Sequence, residues 1–116
     1  MTSFFETYFD RMASQLHAVS ANDLERTKDL FIAAGAAGRK VIVVGNGGSA
    51  AMASHVSVDL TKTATLRSTC FNEADLITCL ASDYGYEHWV ARALEMYADA
   101  GDVAVVISSR SEEHTS

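Results

Sequence analysis

The sequence predicts an α/β fold, a doubly wound parallel sheet flanked by helices and preceded by N-terminal helices. Three observations carry that reading. Val41-Ile-Val-Val44 runs straight into Gly-Asn-Gly-Gly-Ser49 and then into a helix-forming segment. A second continuous apolar run, Val103 to Ile107, follows a Gly101-Asp102 turn. Between the two, apolar residues recur at helical spacing. Strands alternating with helical stretches imply parallel strands joined by crossover helices, with ligands bound beyond the carboxyl ends of the strands.

The elements follow in order. Phe4, Phe5, Tyr8, Phe9, Met12, Leu16 and Val19 recur every three or four residues, which predicts an amphipathic helix from about Thr2 to Ser20. Asn22 is a candidate cap for a second helix, Asp23 to about Ala37, with Leu24, Leu30, Phe31 and Ala34 inward and Gly35 and Gly38 at its end. The apolar face of the first helix either folds onto the sheet or packs against another subunit. After the first strand, a helix is expected from Ser49 to about Thr61, then a strand from Thr65 to Phe71. Glu73 to about Ser82 reads as helical. Tyr86 to Asp99 forms another amphipathic helix, with Trp89, Val90, Ala93, Leu94 and Tyr97 on one face. Val103 to Ile107 reads as a strand buried on both sides.

Composition bounds the function. The chain has 116 residues, a formal charge of −6 and 48% hydrophobic residues, enough for one core and no basic stripe for a nucleic-acid backbone. No apolar run approaches a membrane span, and no signal peptide opens the sequence, so a cytoplasmic protein is expected. Cys70 and Cys79 lack metal-ligand spacing and read as small core residues in a reducing compartment.

The chemistry concentrates at Gly45 to Ser49. Glycines let a turn fold sharply, and the helix start aims unpaired N–H groups and its positive dipole end at whatever sits above. Phosphate is the natural occupant. Gly45-x-Gly47-x-x-Ala50 fits a dinucleotide fingerprint, yet Thr63 to Ser68 offers no carboxylate for a ribose; Arg67 leaves a 2′-phosphate open. No Gly-Lys-Ser/Thr follows, which excludes the P-loop. The remaining reading is a donor-rich pocket, with Asn46 and Ser49 adding side-chain groups, that suits a sugar phosphate. His55 and Asp59 share one helix face at i, i+4, a spacing that holds a divalent metal, supports acid–base work, or is a plain surface pair.

VVGNGGSAAMASHVSVDLTK, residues 43–62, resembles the core motif of the sugar isomerase (SIS) domain and, within it, the phosphoheptose isomerases, also called sedoheptulose 7-phosphate isomerases. Leu80-Ala-Ser-Asp-Tyr-Gly-Tyr-Glu-His-Trp89 is similar to that group's Asn-Asp-Phe/Tyr-Gly segment, and Gly101 to Ser109 to the strand entering its second phosphate loop. The resemblance spans about Arg39 to Ser109. It implies a flavodoxin-like SIS sheet, with residues 1–38 as N-terminal helices for packing or oligomerisation and residues 39–109 as a partial SIS domain. Arg110 to Ser116 departs from the family and spells the translation of a common sequencing-library adapter, so it reads as an artefact, with the C-terminal part of the protein missing.

The resemblance further implies which residues work. Asn46, Gly47, Gly48 and Ser49 would contact substrate, as would Ser82 and Asp83 (Ser replacing the family Asn) and the phosphate-gripping Ser108 and Ser109. His55 stands where the family places a zinc-binding His. Asp59 stands where it places a Glu that is both ligand and base, one methylene longer. Glu87, His88 and His17 are read as solvated or structural. The implied reaction is an aldose–ketose isomerisation of sedoheptulose 7-phosphate through an enediol, in a zinc-dependent homotetramer. A Gln ligand and an acid/base His from a C-terminal helix would complete it, so the fragment alone should be inactive. The alternative is a non-catalytic sugar-phosphate-binding or scaffold protein similar to the DnaA initiator-associating protein, which keeps the Gly loop and lacks the Glu.

Overall fold

Three parallel strands, β1 (Val41–Gly45), β2 (Ser68–Thr69) and β3 (Val103–Ile107), lie in the order β2-β1-β3 in a computed structural model that describes residues 3–110. Every residue of β1 is buried. Its alternating side chains feed two cores, as the pleat dictates. Ile42 and Val44 pack with Phe71, Leu80, Trp89 and Ala93, the last three carried by α4 (Ala74–Tyr84) and α5 (Trp89–Tyr97). Val41 and Val43 pack with Ala53 of α3 (Gly48–Lys62) and with partly buried Phe31, Leu60 and Val105. Helices therefore cover both faces of the central strand, as expected.

β3 departs from its expected double burial. Val103, Val105 and Ile107 are half-buried towards α3, whereas Ala104 is exposed and Val106 is 64% exposed. In the parallel register Val106 sits beside Val44, but it lies on the edge strand and faces a cleft instead of a helix. β2 is also shorter than expected, pairing only Ser68 with Val41 and Thr69 with Ile42. The preceding residues serve the helix ends. Thr65 takes a positive φ of 55°, Leu66 N–H donates to the Leu60 carbonyl at 2.9 Å, and Arg67 donates to the Gly38 carbonyl.

The chain divides into two units after Leu30, so the last turns of α2 (Ala21–Ala36) belong with the sheet and not with an N-terminal piece reaching residue 38. Ser20, and not Asn22, caps α2 by accepting from Asp23 N–H at 3.2 Å. Leu24 and Leu30 are exposed, contrary to expectation, while Ala34 is buried. Gly35 does not end the helix; it lies inside α2, where the end of the Leu66 side chain packs over it. Gly38, at φ +71°, makes the stop. In the first unit, α1 (Phe4–His17) opens with a capping box between Ser3 and Glu6 and buries none of its residues.

The expected helix from Tyr86 begins as one 3-10 turn, Tyr86–His88, before α5. Cys79 is exposed and Cys70 half-buried, so neither is a core residue. At the far end of the sheet Asp102 ties β1 to β3. Its carboxylate accepts from the backbone N–H of Lys40 at 2.9 Å and of Asp99 at 2.7 Å, and pairs with Lys40 Nζ at 2.6 Å. Burial pushes this carboxyl up, but those three donors together hold it well below the usual carboxylate range. No helix among the described residues is long and apolar enough to cross a membrane. Residues 111–116, most of the heptapeptide read as an adapter artefact, lie outside the described residues.

Candidate functional site

In the turn after β1 the backbone itself requires glycine at Gly45 and Gly47, and leaves Gly48 unconstrained. A Cβ on Gly45 would stand 2.6 Å from the carbonyl carbon and oxygen of Ser49, so strand and helix approach closer than any side chain allows. Gly47, at φ 57° and ψ −123°, turns the chain into α3 in a conformation reserved for glycine. Ser49 N–H then donates to the Asn46 carbonyl and Ala50 N–H to the Gly47 carbonyl, both at 3.0 Å. The N–H groups of Gly47 and Gly48 meet no acceptor among the described residues. Two unpaired donors at a helix start, on the carboxyl side of a parallel sheet, form an anion cradle.

This loop opens on a cleft of about 800 Å³ lined by Asn46, Gly47, Gly48, Ser49, Met52, Tyr86 and Ser109, and by Arg110, which belongs to the segment read as an adapter artefact and takes no role. A neighbouring space of about 450 Å³ reaches Val44, Glu87, Val106 and Ser108. The structure therefore brings the first four predicted substrate residues and the Ser108-Ser109 strand end to one place. Met52, Tyr86 and Glu87 were not anticipated, and Glu87 is a wall of the space and not a merely solvated residue. Gly85 was the available signal. At φ +93° it swings the chain out of α4 so that Tyr86 reaches the cleft.

His55 and Asp59 lie further along α3. Nδ1 of His55 is 3.0 Å from Oδ2 of Asp59, and their side chains are 80% and 62% exposed. Neither lines the cleft, but Met52 does, and it precedes His55 by three residues and Asp59 by seven. One helical stripe thus joins cleft to pair. From Ser49 to His55 the helix axis advances about 9 Å. Ser82 and Asp83 are exposed on the last turn of α4, outside that cleft, where the Cys79 thiol donates to Asp83 Oδ2 at 3.7 Å.

A tetrahedral zinc takes four ligands. Among the described residues no cluster of three or more His, Cys, Asp or Glu could hold a metal. His55 and Asp59 thus offer a pair of donors of suitable type and do not by themselves close a site.

A glycine turn with two unpaired N–H groups and a serine-bearing strand end line one cleft at the carboxyl edge of a parallel sheet, which makes this an α/β domain with a ligand-sized cleft at that edge. The chain belongs to the SIS domain family, whose profile matches residues 5–114. Phosphoheptose isomerase of Citrifermentans bemidjiense is 35% identical over 92 residues, 74% of this chain and 48% of that protein. Phosphoheptose isomerase of Bradyrhizobium sp. (strain BTAi1) is 35% identical over 78 residues, covering 62% and 39% of the two chains. The chain spans about half or less of the length of these curated relatives. Phosphoheptose isomerase GmhA from Neisseria gonorrhoeae superposes with a TM-score of 0.75 at 25% identity, over 91% of this chain and 61% of that one. A phosphoheptose isomerase from Francisella tularensis gives 0.79 at 21% identity over 93% and 62%, a likeness of fold.

Proposed function

We propose that the whole protein is an aldose–ketose isomerase that interconverts sedoheptulose 7-phosphate and D-glycero-D-manno-heptose 7-phosphate. The observation that carries this is the convergence of the Gly47 and Gly48 N–H groups with Ser109 around one cleft, from which the stripe of α3 leads to a His–carboxylate pair. The phosphate binds at the loop, where Asn46, Ser49, Ser108 and Ser109 add hydroxyl and amide donors. Binding energy spent there positions carbons that react some distance away. Asp59 takes the proton beside the carbonyl; Ser82 and Asp83 lie outside the cleft and take no part. His55 and Asp59 are two ligands of a divalent metal, zinc by family resemblance. Such an ion supplies Lewis-acid stabilisation of the sugar oxygens when bound; its remaining ligands come from outside the described residues.

The protein works as a cytoplasmic homo-oligomer, a tetramer by resemblance. Support comes from α1, whose Phe4, Phe5, Phe9 and Leu16 are all more than 60% exposed, an apolar stripe that a second copy covers. Light scattering on the full-length protein reads this directly; a monomer removes that part of the proposal. Asp59 in place of Glu favours the second reading, a sugar-phosphate-binding scaffold without turnover. The deciding experiment mixes full-length protein, zinc and sedoheptulose 7-phosphate and follows aldose formation. Turnover supports the isomerase, whereas binding without turnover makes the protein a scaffold or sensor.

A further inference from the structure

The loop between β2 and α4 holds a side chain that neither the fold nor the proposed chemistry has used. Asn72 sits between two pinned neighbours. Phe71 is buried in the core, and Glu73 caps α4 by accepting from Leu76 N–H at 2.7 Å. Held from both sides, Asn72 reaches across to α3. Its Nδ2 donates to the Ala50 carbonyl at 2.7 Å and also to Ser54 Oγ, which lies 3.7 Å from Cys70 Sγ. Ala50 belongs to the first turn of α3, two residues after Gly48, whose N–H is one of the two that form the anion cradle, and Ser54 immediately precedes His55.

We propose that Asn72 is a positioning residue that fixes the first turns of α3, and with them the cradle, from the carboxyl end of β2. This rests on the isomerase reading for its substrate, but not for its geometry. The amide suits the task because a carbonyl is an obligate acceptor and the NH2 group brings two donors, one for each partner. A carboxylate of the same shape brings none and sets negative charge against the Ala50 carbonyl. Phosphate binding is therefore the step that Asn72 governs. Proton transfer further along the helix is not.

The test compares Asn72→Ala and Asn72→Asp in the full-length protein. Losing one or two neutral hydrogen bonds should raise KM for sedoheptulose 7-phosphate, and Kd for inorganic phosphate, about fivefold in N72A and more than about tenfold in N72D, with kcat within about threefold. Ser54→Ala, a milder change, should give a smaller rise that adds nothing when combined with N72A. Amide exchange at Gly48 to Ala51 should quicken about tenfold in N72A without ligand. Unchanged KM, Kd and exchange in N72D overturn the proposal, as does a fall in kcat with KM intact. If the unsubstituted protein binds no phosphate, the isomerase reading fails instead, and the exchange rates still decide the clamp.

Discussion

Nδ1 of His55 stands 3.0 Å from Oδ2 of Asp59 on the exposed stripe of α3. The contact ties one ring nitrogen to the carboxylate and leaves Nε2 as the other donor atom. Asp59→Asn keeps the shape and removes the base. Its kcat should fall about a thousandfold, the scale of lost general base catalysis, while phosphate still binds. Asp59→Glu should raise kcat by extending the carboxylate. Turnover unchanged in Asp59→Asn, measured with zinc present, would remove Asp59 from the chemistry.

Gly45 and Gly48 stand three residues apart with opposite tolerance. Gly45→Ala drives a methyl into the Ser49 backbone at 2.6 Å, whereas a methyl on Gly48 meets nothing within 4 Å. Overpacking at the first should cost about 1–3 kcal/mol and open the cradle. The second should leave the melting temperature within a degree or two of the parent, since an ordinary surface change costs about 0.5 kcal/mol or less. Paired melting curves and phosphate titrations check both, and equal behaviour of the two variants refutes the close-approach argument.

Local signals carried the fold where they were dense. The Val41–Gly45 run, the glycine loop and the helix after it were legible because β-branched residues, conformational freedom and helical spacing agree there. Ser20 took the cap predicted for Asn22 because both residue types cap helices, and sequence does not choose between near neighbours. β2 shrank because Leu66 and Arg67 found partners in distant helix ends. Leu24, Leu30 and Val106 looked like core because periodicity reports an apolar face without naming what covers it. In the site, Asn46 to Ser49 and Ser108-Ser109 were readable from chain order. Met52, Tyr86 and Asn72 were not, since their roles exist only through contacts between elements.

Trp89 is the one tryptophan in the sequence and is 1% exposed among Ile42, Val44, Phe71 and Leu80. Its emission should be blue-shifted in the native state and move red on unfolding. Trp89→Ala should cost about 3–5 kcal/mol, the usual penalty for emptying an aromatic site. Urea denaturation followed by circular dichroism measures it; a loss below about 1 kcal/mol would show that the core closes over the gap.

The clasp of Asp102 on Lys40 makes the stability of the fold depend on pH in both directions. In the unfolded chain Asp102 takes up its proton near its ordinary value of 3.8, while in the fold it stays ionised to lower pH. Below 3.8 the unfolded state therefore binds more protons, and stability falls as pH falls through the folded value. Lys40 works in the opposite sense. Its hydrogen bonds to Asp102 and then Asp99 raise it above 10.5, so its contribution is complete below 10.5 and is lost as pH rises past the folded value. Asp102→Asn should melt earlier at pH 7, because the amide cannot accept from two backbone N–H groups and an ammonium as a carboxylate does. It should also lose much of the drop in melting temperature that the parent shows below pH 3.8. Thermal scans at stepped pH separate the effects, and parallel acid limbs in the two proteins would mean that other carboxylates set the acid stability.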